Sequence, residues 1–176
     1  MTAPFISLTG MSKSFVGIKV LKDVDFDVRE GEVHALLGEN GAGKSTLIKM
    51  MAGLYKPDSG TVTVNGEEVK FTATGDATAA GIATVYQELL LFPELTVAEN
   101  VFLGHYPRSG AGWIDWNAVR SRTRELLDQL DTHDLDVDAK VLTLSVAQRQ
   151  RVEIAKALSR NARILIMDEP TAALVE

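Results

Sequence analysis

Gly38-Glu39-Asn40-Gly41-Ala42-Gly43-Lys44-Ser45 is the stretch on which the fold turns. It fits the pattern G-x-x-x-x-G-K-[ST]. Its glycines let the backbone curl so that successive N–H groups converge on phosphate oxygens. The helix that follows adds its positive N-terminal end. In such a loop Lys44 reaches the terminal phosphates, the Ser45 hydroxyl can ligate Mg2+, and the binding segment runs on to Thr46. An ordinary glycine turn before a helix would carry the same glycines, so the flanks decide. Upstream, Val33–Leu37 is a short apolar run suited to a buried strand. Downstream, Leu47, Ile48, Met50, Met51 and Leu54 recur at helical spacing and predict a helix over Lys44–Leu54. Strand, loop and helix in that order favour a phosphate cradle.

A second apolar run, Ile164–Met167, ends in Asp168-Glu169-Pro170. At the end of a core strand Asp168 can hold Mg2+ through water, and Glu169 can orient or deprotonate an attacking water. The same acids could instead cap a helix beginning at Pro170; the phosphate loop elsewhere in the chain favours the metal and water roles. Between these two ends, Val24, Phe26 and Val28 alternate with Asp23, Asp25 and Asp27, as in a half-solvated strand. Thr61–Val64, Asn65-Gly66 and the Val69/Phe71 alternation predict a β-hairpin on a type I′ turn. Ile82–Tyr86 reads as a further strand. From about Thr96 to Leu158 the pattern is helical, ending in a stripe of Ala147, Ile154, Ala155 and Leu158 opposed by Arg149, Glu153, Lys156 and Arg160. Together these elements predict a parallel α/β core.

The 176 residues are enough for one domain with a real core, and 45% of them are hydrophobic. With 18 Lys and Arg against 24 Asp and Glu, the net charge of −6 lacks the basic footprint of a nucleic-acid binder. The absence of cysteine excludes disulfide scaffolds, thiolate zinc sites and cysteine nucleophiles. No uncharged stretch approaches the roughly 20 apolar residues of a membrane helix, and no signal-peptide pattern is visible at Met1–Phe15. His34, His105 and His133 share no metal-ligand spacing; His34 is expected to be a packed strand residue. Trp113 and Trp116 are expected to anchor a glycine-rich loop, and Asp131, Asp134, Asp136 and Asp138 to form a solvated face.

Leu144-Ser145-Val146-Ala147-Gln148 resembles the signature motif of ATP-binding-cassette (ABC) ATPases, with Val146-Ala147 where the common form has Gly-Gly. The variant continues as Arg149-Gln150-Arg151-Val152-Glu153-Ile154-Ala155-Lys156-Ala157-Leu158. With Glu169-Pro170-Thr171-Ala172-Ala173-Leu174, it is similar to the ATPases of bacterial sugar importers of the ribose, xylose and galactose type. The resemblance runs from about Phe5 to the last residue. It implies an α/β P-loop NTPase core with an antiparallel β subdomain and a helical subdomain at about 96–158. It also implies that residues 1–176 form a single, incomplete nucleotide-binding domain. This would be the N-terminal part of the first of two fused copies, cut after the strand bearing Asp168 and poorly stable alone.

The resemblance further implies site residues. Phe15 would stack on adenine with Val20 as its apolar neighbour, a role any flat aromatic fills, though plain core packing would also suit Phe15. Gln87 would contact Mg2+ and the attacking water and sense the membrane partner; otherwise it is a surface-loop glutamine. Ser145 and Val146, with Gln148 of the same motif, would meet the γ-phosphate of ATP on the opposite subunit, while in an isolated chain Ser145 is a simple N-cap. The implied ligands are ATP and Mg2+. The implied partners are a second ABC ATPase domain in a head-to-tail dimer, membrane permease subunits and, indirectly, a solute-binding protein. The protein is then expected on the inner face of the cell membrane, hydrolysing ATP to power import of a sugar-like solute. A nucleotide-binding module without turnover, and a non-transport ABC protein of translation or DNA repair, are the alternatives; Val146-Ala147 argues against the latter.

Overall fold

The alternation of acids with apolar residues at 23–28 produces the expected half-solvated strand. In the computed structural model, which describes residues 4–86, 89–110 and 112–168, it is the end of β2 (Ile18–Val28), with Val24, Phe26 and Val28 half-buried and the three aspartates exposed. The chain divides into two compact units, Met1–Ile82 and Ala83–Glu176.

In the first unit β1 (Ile6–Phe15) pairs antiparallel with β2 across a Val16-Gly17 turn, both residues having positive φ. β3 (Ser59–Val64) and β4 (Glu67–Val69) complete a four-stranded antiparallel sheet in the order β2-β1-β3-β4. The predicted hairpin is present, with Asn65 at φ 53° and Gly66 at φ 80°, the left-handed pair that a type I′ turn requires. Ile6, Leu8, Met11, Leu21, Val62 and Val64 are buried. Helix α1 (Lys44–Met51) buries Leu47, Ile48, Met50 and Met51. It stops short of Leu54 because Gly53 turns left-handed at φ 73°, with the Leu54 amide donating back to Lys49 O. Helix α2 (Thr74–Ala79) follows, its start held by the Asp76 carboxylate, which accepts from the Thr72 and Ala73 amides.

One expectation fails here. Val33–Leu37 lies in no strand, and Val33 and Leu37 are 100% and 86% exposed. A buried strand needs neighbours that satisfy its N–H and C=O groups, and no described strand pairs with this run. His34 is accordingly not a packed strand residue: it is exposed, lies 3.3 Å from Glu32, and tilts against Phe26.

In the second unit β5 (Ile82–Val85, whose first residue belongs to the other unit) pairs with β6 (Ile164–Met167). Helices α3 (Val97–Val101), α4 (Trp116–Gln129) and α5 (Val146–Leu158) enclose a core that includes the fully buried Val97, Val101, Val119, Leu127, Val152 and Ala155. Buried Asn100 ties the preceding loop to α3: its amide donates to Phe92 O and Thr96 O at 3.0 Å, and its carbonyl accepts from the Phe92 amide at 2.8 Å. Trp113 is 78% exposed and so is no loop anchor; Trp116 packs on Tyr106. Among the described residues no helix is long and apolar enough to cross a membrane.

Helix α5 departs from the predicted two-faced pattern. Val152 and Ala155 enter the helical core, while Ile154 and Ala157 pack with Ala83, Val85 and Leu165. Contact on two sides draws in Glu153 from the polar face, leaving its side chain 12% exposed and 3.7 Å from Lys156. Burial lifts the Glu153 carboxyl above its ordinary range, against the pull of Lys156 and the Leu90 amide. A raised folded-state pKa contributes stability below the unfolded pKa and loses it as pH rises through the folded value. Glu153→Gln is therefore expected to gain up to about 1 kcal/mol at pH 8, with the gain disappearing below the ordinary carboxylate range. Urea melts of both proteins across pH 4–8 check this; an equal difference at every pH would sink it.

Candidate functional site

The phosphate-loop residues are built on the step from an irregular segment into α1. Gly41 and Gly43 sit at φ 84° and 92°, values that other residues rarely adopt. A Cβ on Gly43 would also lie 2.6 Å from Leu21 Cδ2 and 3.2 Å from Val20 O, so this glycine lets the loop seat against β2. The Ala42 amide donates to Glu39 O at 3.1 Å, closing the turn that contains Asn40. Gly43 is the N-cap of α1 and offers no side chain to its free amides. No acid occupies the first turn, so the positive end of α1 is uncompensated by local side chains.

Lys44 folds back onto the loop that precedes it. Its Nζ donates to Gly38 O at 2.6 Å and to Glu39 O at 3.0 Å. An ammonium held by two carbonyl oxygens beside an uncapped helix start is placed to exchange them for phosphate oxygens, which are stronger acceptors for a cation. Ser45 is exposed and Thr46 half-buried. The donor set therefore fits a polyphosphate: flexible glycines, an uncapped helix end and one cation. A hydroxyl at Ser45 suits a hard cation bridging that phosphate.

Of the resemblance-derived residues of the first unit, Val20 lies beside the loop. Val20 is half-buried in β2, its carbonyl beside Gly43. Phe15 ends β1 at the hairpin turn and is 36% exposed. It is therefore not a plain core residue. Its ring meets that of Tyr55 edge-on, with centroids 5.2 Å apart, and Lys13 Nζ lies 5.6 Å from its centroid. Tyr55 carried no sequence signal beyond being an aromatic just after a helix.

In the second unit Ser145 caps α5 in a reciprocal box. Its hydroxyl accepts from the Gln148 amide at 3.3 Å, and Gln148 Oε1 accepts from the Ser145 amide at 3.0 Å. Val146 is the first helical residue and is 40% exposed, an apolar side chain facing outward at a helix start. Asp168 follows β6, half-buried, with its amide donating to Val85 O at 3.1 Å. The nearby Tyr86 hydroxyl is pushed up chiefly by burial and in small part by the Asp168 charge. Gln87 and Glu169 lie outside the described residues.

A family model described as "ABC transporter" matches residues 21–172. Ribose import ATP-binding protein RbsA of Jannaschia sp. is 50% identical over 97% of this chain, and RbsA 1 of Streptomyces coelicolor 53% identical over 98%. These matches cover 33% and 34% of the relatives' own lengths, so the chain spans about a third of the curated relatives it matches. The ADP conformation of MJ1267, an ATP-binding cassette of an ABC transporter, superposes with a TM-score of 0.84 at 30% identity, covering 97% of this chain and 70% of that one. A dimeric post-hydrolysis state of the ATP-binding cassette MJ0796, bound to ADP and Pi, gives 0.76 at 29% identity, covering 96% and 75%. The resemblance read from the motifs and the α/β P-loop NTPase fold agree with these matches.

Proposed function

The chain belongs to the ABC transporter family, and from that premise we propose that it binds and hydrolyses ATP to drive uptake of a sugar-like solute. The observation that carries the reading is the Lys44 ammonium bridging Gly38 O and Glu39 O over an uncapped helix end. ATP phosphates would displace those carbonyls and engage residues 38–46. The adenine would lie on Phe15 beside Val20. The reaction is attack of water on the γ-phosphate, giving ADP and phosphate. Glu169 orients that water and accepts its proton, Gln87 helps hold it in line, and Lys44 stabilises the charge developing on the transferred group. Ser45, Gln87 and Asp168 would hold Mg2+, which when bound supplies charge neutralisation across the phosphates.

Residues 1–176 would form one incomplete ABC nucleotide-binding domain with a helical subdomain at about 96–158, coupled to the permease through the region near Gln87 to Leu103. Ser145, Val146 and Gln148, at the start of α5, would meet the γ-phosphate of a second cassette in a head-to-tail pair. The α5 amides left free by the Ser145–Gln148 box suit that anion. The dimer of MJ0796 and the ribose import names of the relatives support this assembly and solute class. The protein would sit on the inner face of the membrane, with a solute-binding protein acting indirectly through the permease.

Calorimetric titration of the chain with Mg-ATP, coupled to a phosphate-release assay, tests the reading. Micromolar binding with turnover is expected. Binding without turnover would reduce the chain to a nucleotide-binding module, and absence of binding would sink the proposal.

A further inference from the structure

We propose that Tyr55 and Asp58 are positioning residues for the base-stacking surface at Phe15, an inference that rests on the nucleotide reading above. The segment 55–58 connects the end of α1 to β3, far from Phe15 in sequence, yet it grips the end of β1 from three directions. Asp58 Oδ2 accepts from the Ser14 amide at 2.7 Å, Oδ1 accepts from Lys13 Nζ at 3.0 Å, and the Asp58 amide donates to Ser12 O at 2.9 Å. The two residues immediately before Phe15 are thus both fixed by one carboxylate. Lys13 and the Ser14 amide hold the Asp58 carboxyl below its ordinary range, so it remains a charged acceptor.

Tyr55 supplies the lateral contact. Its ring abuts Phe15 at 5.2 Å and 64°, a geometry that favours aromatic pairs. Its amide donates to Lys49 O at 3.1 Å, and Lys49 Nζ lies 5.6 Å from its ring centroid. Lys49 is in the last turn of α1, the helix whose first turn carries Lys44 and Ser45. One short segment therefore joins the helix that receives phosphate to the ring that receives the base. The spacing between the two ends of a nucleoside triphosphate site is set by residues that need touch neither the base nor the phosphates.

ATP and inorganic tripolyphosphate, titrated calorimetrically into the full chain, separate this role from others. Tyr55→Ala and Asp58→Ala are each expected to weaken ATP about five- to tenfold, the loss of an aromatic pair or of an ordered stacking surface. Tripolyphosphate, which has no base, should bind within twofold of the parent. Asp58→Asn, which keeps an acceptor of the same shape, should lose less than Asp58→Ala. Combining Asp58→Ala with Phe15→Ala should weaken ATP no further than Phe15→Ala alone. A strong Phe15→Ala effect with Tyr55 and Asp58 variants silent would overturn the inference, as would equal loss of ATP and tripolyphosphate. Failure of the underlying reading looks different: the parent would then bind ATP no better than tripolyphosphate, and Phe15→Ala would change nothing.

Discussion

Lys44→Ala is expected to weaken ATP and tripolyphosphate alike by about 100-fold, the loss of two charge-assisted hydrogen bonds to phosphate. In the structure its ammonium is engaged with Gly38 O and Glu39 O alone among the described contacts of that side chain. Both acceptors are exposed loop carbonyls that water can satisfy after truncation. The midpoint of thermal unfolding should therefore move little, and that separates lost affinity from lost fold. The equal effect on both ligands distinguishes Lys44 from Phe15, Tyr55 and Asp58, whose variants should spare tripolyphosphate. Isothermal titration of the two ligands into Lys44→Ala checks it. Retention of tripolyphosphate affinity within tenfold of the parent would place the phosphate elsewhere.

The largest effect on stability is expected from Gly60→Ala, about 3 kcal/mol or more, from left-handed strain together with overpacking. Gly60 lies in β3 at φ 105°, where an L side chain is strained before any contact is made. A Cβ there would stand 2.7 Å from Thr9 O and 2.8 Å from the carbonyl carbon and oxygen of Gly10. These are backbone atoms of the neighbouring strand, so no rotamer change relieves the clash. The contact sits where β1 breaks register, with Gly10 itself at φ 63° and its amide donating to Asp25 Oδ1 at 2.7 Å. Beyond this bulge β1 continues to Ser12, Ser14 and Phe15, so Gly60→Ala should also loosen the stacking surface. Urea unfolding of parent and variant measures the loss. A difference below about 1 kcal/mol, small among core substitutions, would show that the bulge can shift without cost.

The local geometry of the candidate site was readable where the requirement is short-range. The phosphate loop demands glycines at fixed offsets and a following helix, and those demands are met within a dozen consecutive residues. The Asn65-Gly66 turn and the Ser145–Gln148 box are equally local, each a short-range match between side chain and backbone. Asp58 was not readable as a functional residue. In Pro57-Asp58-Ser59-Gly60 it has the composition of any turn, and its partners at Ser12, Lys13 and Ser14 are far away in sequence. Tyr55 was missed for the same reason, its ring partner Phe15 lying 40 residues earlier. Glu153 was misplaced on a solvated face because helical periodicity describes one buried side, whereas α5 is packed on two.

The order of motifs along the chain determined the family, and residues 38–45 encode in place the turn and helix start of the candidate site. Tertiary structure alone decided which residues hold that site together. It joined segment 55–58 to the end of β1, seated Gly60 on Gly10, drew Glu153 inward, and left Val33–Leu37 outside every described strand. Each of those outcomes depends on a partner that is distant in sequence, and a run of apolar residues becomes a buried strand only when neighbouring strands satisfy its backbone.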